Sequence, residues 1–174
     1  TEGRSTWMNV KMGQAADPAE LASRIRESGP FKAVLITQNE TSTGVTNPMR
    51  ELCAAVHQAA EPAPLLIVDA ISGLGAIRLP QDAWGVDVMV AGSQKAWMAP
   101  PGLAFISFNQ RAWQAYETAR SPRFYFDLGS AQRYAQRNQT PSTPNVTALY
   151  ALHAALEPLA QEGVQAVHER HQRI

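Results

Sequence analysis

Side chains able to do chemistry follow three apolar runs of the chain, at the point where each run ends. Hydroxyls and a carboxylate lie in Asn39–Gly44 after the first run, Asp69 closes the second, and Gly92–Lys95 follows the third. In open α/β sheets, ligands bind outside the carboxyl ends of the strands. Singly, such an Asp is usually a turn residue and such a Lys a solvated surface charge. Together they predict one site for a small molecule.

Two other kinds of cofactor site are not supported by the residue spacing. Gly73 and Gly75 resemble the start of a dinucleotide-binding turn, but Arg78 stands where the third glycine should be and Pro80 follows where a helix should run. The four histidines have no zinc-ligand spacing, and Cys53 is the single cysteine. We therefore expect neither a nicotinamide site nor a metal site.

Two alternatives from other functional classes stay open at this point. Ser93 stands two residues before Lys95, and a lysine so placed could act as base for a serine nucleophile in a hydrolase. The glycine-rich oxyanion segment that such an enzyme needs is not evident. A non-catalytic α/β interaction domain is the other alternative.

Strands and helices that must position these residues are indicated by the apolar pattern. Continuous apolar runs indicate strands buried on both faces, and their alternation with helices predicts an α/β sheet covered by helices. The predicted strands are Phe31–Thr37, Leu65–Asp69, Val86–Val90 and Leu103–Phe108. The predicted helices are one from Asp17-Pro18 to Gly29, one capped by Asn47-Pro48, and Gln110–Ala119, Asp127–Asn138, Val146–Ala160 and Gly163–Ile174, with a break or kink at Pro158.

Composition bounds the function further. The 174 residues carry 15 Lys+Arg and 15 Asp+Glu, so a net charge of zero argues against a nucleic-acid or anionic-membrane partner. The longest clean apolar run is Leu65–Val68, far short of the roughly 20 residues of a membrane span. A single cysteine favours a reducing compartment, and we expect a cytoplasmic protein. Because the chain starts at Thr1 and its helical end has no stop signal, we expect a segment of a longer enzyme.

Three stretches of the chain carry a resemblance to a known family. VDAISGLGAIRLPQDAWGVDVMVAGSQKAWMAPPGLAFIS (Val68–Ser107), NETSTGVTNP (Asn39–Pro48) and QTPSTPNVTALYAL (Gln139–Leu152) resemble motifs of class V aminotransferases, in the same order. The closest group is the serine–glyoxylate and alanine–glyoxylate aminotransferases, which are fold type I pyridoxal-phosphate enzymes. Cysteine desulfurases of this class usually carry His before the lysine, where Gln94 stands here.

The resemblance implies a role for each residue at the strand ends. Lys95 would form the Schiff base with the aldehyde of pyridoxal 5'-phosphate, and Asp69 would keep the pyridine nitrogen protonated so that the ring accepts electrons. Thr41 would bond the ring hydroxyl, Ile71 would pack under the ring, and Gln94 would reach the phosphate.

A homodimer is also implied. Thr143 and Thr140 would reach the cofactor phosphate of the neighbouring subunit across a two-fold interface. The other reading of Gln139–Thr147 is a proline-stiffened turn in which Thr143 caps the next helix.

The implied fold is the central part of a mixed, mainly parallel sheet flanked by helices. Residues 1–160 would belong to the cofactor-binding large domain, and 161–174 would start the helix leading to a small C-terminal domain. The family's phosphate turn, stacking aromatic residue and substrate-carboxylate arginine match nothing in this chain. The implied reaction is transamination between an amino acid, serine or alanine, and a 2-oxo acid, glyoxylate. A lyase or desulfurase on the same cofactor is the alternative within the class.

Overall fold

The computed structural model describes residues 4–173 as an α/β fold built on one four-stranded sheet. The strands are β1 (Ala33–Thr37), β2 (Asn39–Glu40), β3 (Val45–Thr46), β4 (Leu65–Asp69), β5 (Val88–Gly92) and β6 (Ala104–Phe108). The helices are α1 (Pro18–Ser28), α2 (Met49–Ala59), α3 (Gln81–Trp84), α4 (Gln110–Thr118), α5 (Leu128–Ala135), α6 (Val146–Glu162) and α7 (Val164–Gln172). The strands alternate with helices as the sequence predicted.

The main sheet has the strand order β1-β4-β5-β6. Strand β4 pairs in parallel with both β1 and β5, and β6 pairs with β5 in the antiparallel direction. Asp69 is the register partner of Thr37 on one side and of Val90 on the other. The predicted mixed, mainly parallel sheet is confirmed, and the carboxyl ends of β1, β4 and β5 lie at one edge of it.

The core lies where α1 and α2 cover one face of the sheet. Leu52 and Val56 of α2 are fully buried against Leu66 and Val68 of β4. Burying each such side chain contributes about 1.5–3 kcal/mol. Burial alternates along β4, so only one face of this strand is closed completely, whereas the prediction had both faces buried. On β5 four of the five residues are buried.

Strand β5 begins at Val88, two residues later than predicted, although the Asp87 backbone still pairs: its N–H donates to the Leu66 carbonyl at 2.9 Å and its carbonyl accepts from the Asn109 N–H at 3.0 Å. Asp87 Oδ2 accepts a hydrogen bond of 2.7 Å from the Leu66 backbone N–H, and Oδ1 accepts one of 2.7 Å from Asn109 Nδ2. The Arg111 guanidinium lies 3.3 Å from the same carboxylate. The fully buried carboxylate therefore joins β4 to the start of α4, at the edge of the sheet opposite the predicted site.

The predicted cap of α1 is confirmed, but the predicted cap of α2 is wrong. Asp17 accepts a hydrogen bond from the Ala19 backbone N–H and so caps α1. Asn47 does not cap α2: its Oδ1 accepts from the Ala16 N–H and its Nδ2 donates to the Thr37 carbonyl, both at 2.8 Å. Its side chain instead ties the segment before α1 to the end of β1.

Helix α6 is continuous through Pro158, so of the predicted break or kink the break is wrong. Proline removes one N–H donor, but the turn that follows it is complete, and the Gly163 N–H donates to the Leu159 carbonyl at 3.0 Å. At 17 residues α6 is the longest of the helices described. Among residues 4–173, no helix combines the length and apolarity needed to cross a membrane.

Candidate functional site

Thr41 lies in the turn of a short hairpin that sequence reasoning read only as a polar loop. Strands β2 and β3 pair in the antiparallel direction, and Thr46 Oγ1 donates a hydrogen bond of 2.7 Å to Asn39 Oδ1. The turn closes where the Gly44 N–H donates to the Glu40 carbonyl at 2.8 Å. Gly44 has φ +72°, a conformation that favours glycine. The exposed Thr41 side chain thus stands on an ordered turn just beyond β1.

The Glu40 carboxylate stabilises this turn and is not free for acid–base work. Its Oε1 accepts hydrogen bonds from the backbone N–H and the hydroxyl of Ser42, at 2.9 and 2.8 Å. The Ser42 backbone N–H, followed by its hydroxyl, holds the pKa of Glu40 below its usual value. Glu40 therefore stays ionised beside Thr41.

Asp69 ends β4 with its half-buried carboxylate at the edge of the sheet. Oδ1 accepts a hydrogen bond of 3.0 Å from the backbone N–H of Ile71. Ile71 lies just beyond the strand and leaves 37% of its surface exposed. No ion pair within residues 4–173 involves Asp69 or Lys95, so both charged groups remain available to a ligand.

Lys95 lies half-buried in a loop that Ser93 closes at its base. The fully buried Ser93 donates its hydroxyl to the Pro100 carbonyl at 2.6 Å and accepts from the Leu103 N–H at 3.3 Å. The Met98 N–H donates to the Lys95 carbonyl at 3.0 Å and fixes the tip. The Ser93 hydroxyl is buried and bonded to two backbone groups of the loop, so its role is structural. This argues against the Ser93/Lys95 hydrolase.

Three loops, one after each of β1, β4 and β5, contact one another at this edge. Ser72 Oγ donates to the Asn39 carbonyl at 2.8 Å and so joins the first loop to the second. A Cβ built on Gly75 would lie 3.3 Å from Ala96 Cβ and 3.6 Å from the Trp97 ring, which shows how closely the second loop approaches the third. The elements carrying Thr41, Asp69 and Lys95 are therefore packed as a unit.

Gln94 lies just beyond the end of β5, and Thr140 and Thr143 lie in the loop before α6. The exposed Gln94 side chain folds over the end of β5: a Cβ on Gly92 would stand 2.8 Å from its Oε1. Thr140 Oγ1 donates to the Ser142 carbonyl at 2.8 Å and stays within its own loop. Thr143 is exposed and does not cap α6, because Asn145 accepts the Ala148 N–H there.

Two cavities of about 460 and 480 Å³ flank these loops, and a third of about 470 Å³ lies between α2 and α3, where His57 and Gly85 line it. Their linings include neighbours of the candidate residues, such as Thr43 and Trp97, but not Asp69, Gln94 or Lys95. Asp69 and the Lys95 loop border the carboxyl ends of β4 and β5, and one small-molecule site formed by them stays a prediction.

Comparison with known proteins decides the family. The profile of the family described as aminotransferase class-V matches residues 2–174. The chain belongs to the class V aminotransferases. It is 41% identical over 162 residues to the L-aspartate–glyoxylate aminotransferase of Paracoccus denitrificans, covering 93% of this chain and 41% of that protein. It is 44% identical over 169 residues to a protein of Synechococcus sp. named soluble hydrogenase, small subunit, covering 96% of this chain and 44% of that one.

Solved structures of class V aminotransferases share the fold. Pyridoxamine–pyruvate aminotransferase from Mesorhizobium loti superposes with a TM-score of 0.86 at 28% identity, over 94% of this chain and 42% of that one. Alanine–glyoxylate aminotransferase from Nostoc sp. gives 0.84 at 28% identity, over 92% and 42%. The fold type I architecture is confirmed. The chain spans less than half the length of the curated relatives named above.

Sequence reasoning missed the residues that hold the loops together. Ser72, Asn39 and Asn47 each join two segments that lie at least 31 residues apart in the chain. Their only sequence signal is that they are polar and follow or flank predicted strands. Such a signal does not say which partner each side chain meets.

Proposed function

We propose that this class V aminotransferase chain binds pyridoxal 5'-phosphate and serves transamination between an amino acid, serine or alanine, and a 2-oxo acid, glyoxylate. The observation that carries the proposal is that Asp69 and the Lys95 loop follow adjacent parallel strands at one edge, with neither charge used in an ion pair of the described residues. Several relatives are named as glyoxylate aminotransferases, which supports the choice of acceptor.

The donor set at this edge fits the cofactor. The Lys95 amine suits its aldehyde, and the Asp69 carboxylate, with Oδ1 engaged by Ile71, keeps Oδ2 for the pyridine nitrogen. The Thr41 hydroxyl suits the ring hydroxyl, the exposed Ile71 side chain the ring face, and the Gln94 amide the phosphate. When bound, the cofactor supplies a ring that accepts the electron pair left on the substrate carbon.

The chain's own residues would bind and orient the cofactor ring and would hold or move protons. Asp69 Oδ2 holds a proton at the pyridine nitrogen, because a carboxylate beside that nitrogen favours its charged form. Lys95 Nζ would hold the cofactor through its aldehyde and, as a free amine, would carry the proton that leaves the substrate α-carbon to the former aldehyde carbon of the cofactor. Thr41 and Ile71 orient the ring between them.

A second copy of the chain is part of the proposal. Thr143, exposed on the loop before α6, would bind the phosphate in the partner's site, with Thr140 beside it. Asn145, the cap of α6, lies against the end of the Lys95 loop, since its Nδ2 stands 3.0 Å from a Cβ built on Gly102.

We also assign residues 1–160 to the large domain and 161–174 to the start of the small-domain connection. The buried Cys53 thiol suits a cytoplasmic protein.

The competing readings have less support. Gln94 stands where desulfurases usually carry His, which favours transamination over lyase chemistry. The Ser93 hydroxyl is already hydrogen-bonded to the Pro100 carbonyl and the Leu103 N–H, which disfavours a nucleophilic role. The hydrogenase name belongs to the Synechococcus relative and forms no part of the proposal, because the strand-end residues are those expected for the cofactor.

Borohydride trapping tests the proposal. The full-length protein is loaded with pyridoxal phosphate, reduced and digested, and the modified peptide is identified by mass spectrometry. We expect the label on Lys95, loss of the visible absorbance band on reduction, and formation of glycine from glyoxylate when serine or alanine is added. Lys95→Ala should lose all three, while Lys32→Ala, at an exposed lysine, should retain them. A wild-type protein with no trapped cofactor would overturn the proposal.

A further inference from the structure

We propose that Ser72 is a positioning residue that fixes the hairpin carrying Thr41 against the strand end carrying Asp69, an inference that rests on the function proposed above. Ser72 is not among the residues that the family resemblance assigns to the cofactor. It comes directly after Ile71, and its side chain points back to the loop that follows β1.

The first step is a two-way bond between Ser72 and Asn39. Ser72 Oγ donates to the Asn39 carbonyl at 2.8 Å, and Asn39 Nδ2 donates to Ser72 Oγ at 3.2 Å. The amide of Asn39 is itself oriented, because its Oδ1 accepts from Thr46 Oγ1 at 2.7 Å. A hydroxyl that both donates and accepts allows little freedom to the two loops it joins.

The second step is close packing of the residues on either side of this bond. Gln38 is fully buried next to Asn39, and a Cβ on Gly73 would stand 2.4 Å from Gln38 Oε1. A side chain at Gly73 would displace the end of the buried Gln38 side chain. The Gln38 N–H also donates to the Asp69 carbonyl at 2.8 Å, so the backbone of the catalytic strand end enters the same contact.

The consequence for the site follows from chain connectivity. The Ser72–Asn39 bond and the Gln38–Asp69 backbone bond close a short ring of chain that contains Asp69, which lies three residues before Ser72. Thr41 lies just outside this ring, two residues after Asn39. Sites held by supporting hydrogen bonds keep their geometry to within fractions of an ångström. Without this bond, the hairpin could rotate relative to β4, and the Thr41 hydroxyl would leave its place relative to the Asp69 carboxylate.

The experiment compares Ser72→Ala with Thr46→Val in the full-length holoenzyme. Thr46→Val keeps the side-chain shape at an exposed position but releases the Asn39 amide. The readouts are the cofactor dissociation constant, the pH midpoint of the cofactor's absorbance change, and kcat and KM taken separately. For Ser72→Ala we expect the dissociation constant to rise about three- to tenfold, the factor typical of one lost hydrogen bond. The pH midpoint should also move, and Thr46→Val should shift both readouts in the same direction by less.

A double-mutant cycle with Thr41→Val separates positioning from stability. If Ser72 acts by holding Thr41, the effect of Thr41→Val on cofactor affinity should shrink in the Ser72→Ala background. Ser107→Ala is the matched control: its hydroxyl donates to Gln81 Oε1 at 2.6 Å, away from these loops, so the pH midpoint should stay at the wild-type value.

Two results would overturn the inference. One is a Ser72→Ala protein that melts at a lower temperature yet keeps the wild-type pH midpoint and cofactor affinity, since Ser72 would then be merely structural. The other is strict additivity with Thr41→Val. Failure of the proposed function looks different, because the wild-type protein itself would then show no cofactor band to titrate.

Discussion

The carboxylate of Asp69 accepts a hydrogen bond from the backbone N–H of Ile71, with 3.0 Å between Oδ1 and N. The bond turns the chain sharply as it leaves β4 and fixes the plane of the carboxyl group. A carboxamide oxygen can accept the same bond. Exchange of Asp69 for Asn therefore removes the charge while keeping the turn, so the effects on chemistry and on folding can be separated.

Asp69→Asn should leave the fold intact and lower the rate of transamination. The amide cannot hold the pyridine nitrogen protonated, and loss of a charge-assisted hydrogen bond of about 1.5–3 kcal/mol corresponds to a rate loss of roughly 10- to 150-fold. Steady-state kinetics of the full-length enzyme and its melting temperature measure the two effects. Asp82→Asn, at an exposed position in α3, is the control and should change neither. Transamination near the wild-type rate by Asp69→Asn would contradict the assignment.

Apolar patterning predicted the main sheet and most helices, because burial of runs such as Leu65–Asp69 decides where strands form. The Asp17 cap could be predicted because its donor and acceptor are only two residues apart in the sequence. The role of the buried Asp87 carboxylate could not be predicted, because its partners Leu66, Asn109 and Arg111 are distant in sequence. No local pattern states which of these partners a buried carboxylate will meet.

The candidate site also contains residues that the local sequence could predict and residues that depend on tertiary contacts. Asp69 and Lys95 could be selected because each follows an apolar run, and position at a strand end is a local property. The hairpin around Thr41 could not, since it depends on the Asn39–Thr46 and Asn39–Ser72 bonds. Asn47 was misread as a cap because its residue type suits one, while its actual partners, Ala16 and Thr37, are set by tertiary structure.

Ser93→Ala should destabilise the protein rather than remove a nucleophile. The variant removes the partner of the Pro100 carbonyl and of the Leu103 N–H, two hydrogen bonds that contribute about 0.5–1.5 kcal/mol each to the free energy of unfolding. Ser23→Ala, which breaks an exposed bond to Glu27, should cost no more than about 0.5 kcal/mol. Denaturant titration gives both values. Covalent labelling of Ser93 by a fluorophosphonate in the native protein would restore the hydrolase reading.

Tyr116→Phe should lower the free energy of unfolding by an amount that depends on pH. The Tyr116 hydroxyl donates to Asp127, and this bond, more than the nearby Arg123, holds the pKa of Asp127 below its usual value. A carboxyl group with a lowered pKa in the folded state adds stability above its unfolded pKa of about 3.9, and that stability is lost as pH falls through the folded value. The difference in the free energy of unfolding between wild type and variant should thus be largest near neutral pH and should vanish in acid.

Urea titrations from pH 7 down to about pH 3 measure this difference. Tyr150→Phe is the control, because Tyr150 is 74% exposed on α6, and its small effect should not change with pH. A Tyr116→Phe penalty of equal size at every pH would mean that the hydroxyl acts through packing alone and that Asp127 is not its partner.

Thr143→Val should weaken cofactor retention without loosening the dimer. The loop before α6 exposes Thr143, and Asn145 already caps the helix, so the Thr143 hydroxyl is not needed for local structure. Hydroxyl and backbone donors suit a phosphate and need no positive patch, which a chain of zero net charge lacks. Because a two-fold interface repeats each contact, both sites of the dimer should lose affinity together.

A dilution series on the full-length enzyme provides the measurement, with dimer content followed by light scattering and bound cofactor by absorbance. In the wild type, cofactor retention should fall as the dimer dissociates, since each site would lose the partner's donor. In Thr143→Val the dissociation constant for the cofactor should rise by about three- to tenfold at concentrations where the dimer persists. Thr147→Val, in the first turn of α6 and also exposed, should behave as the wild type. A stable monomer that keeps its cofactor at full affinity would show that this loop is only a turn between helices.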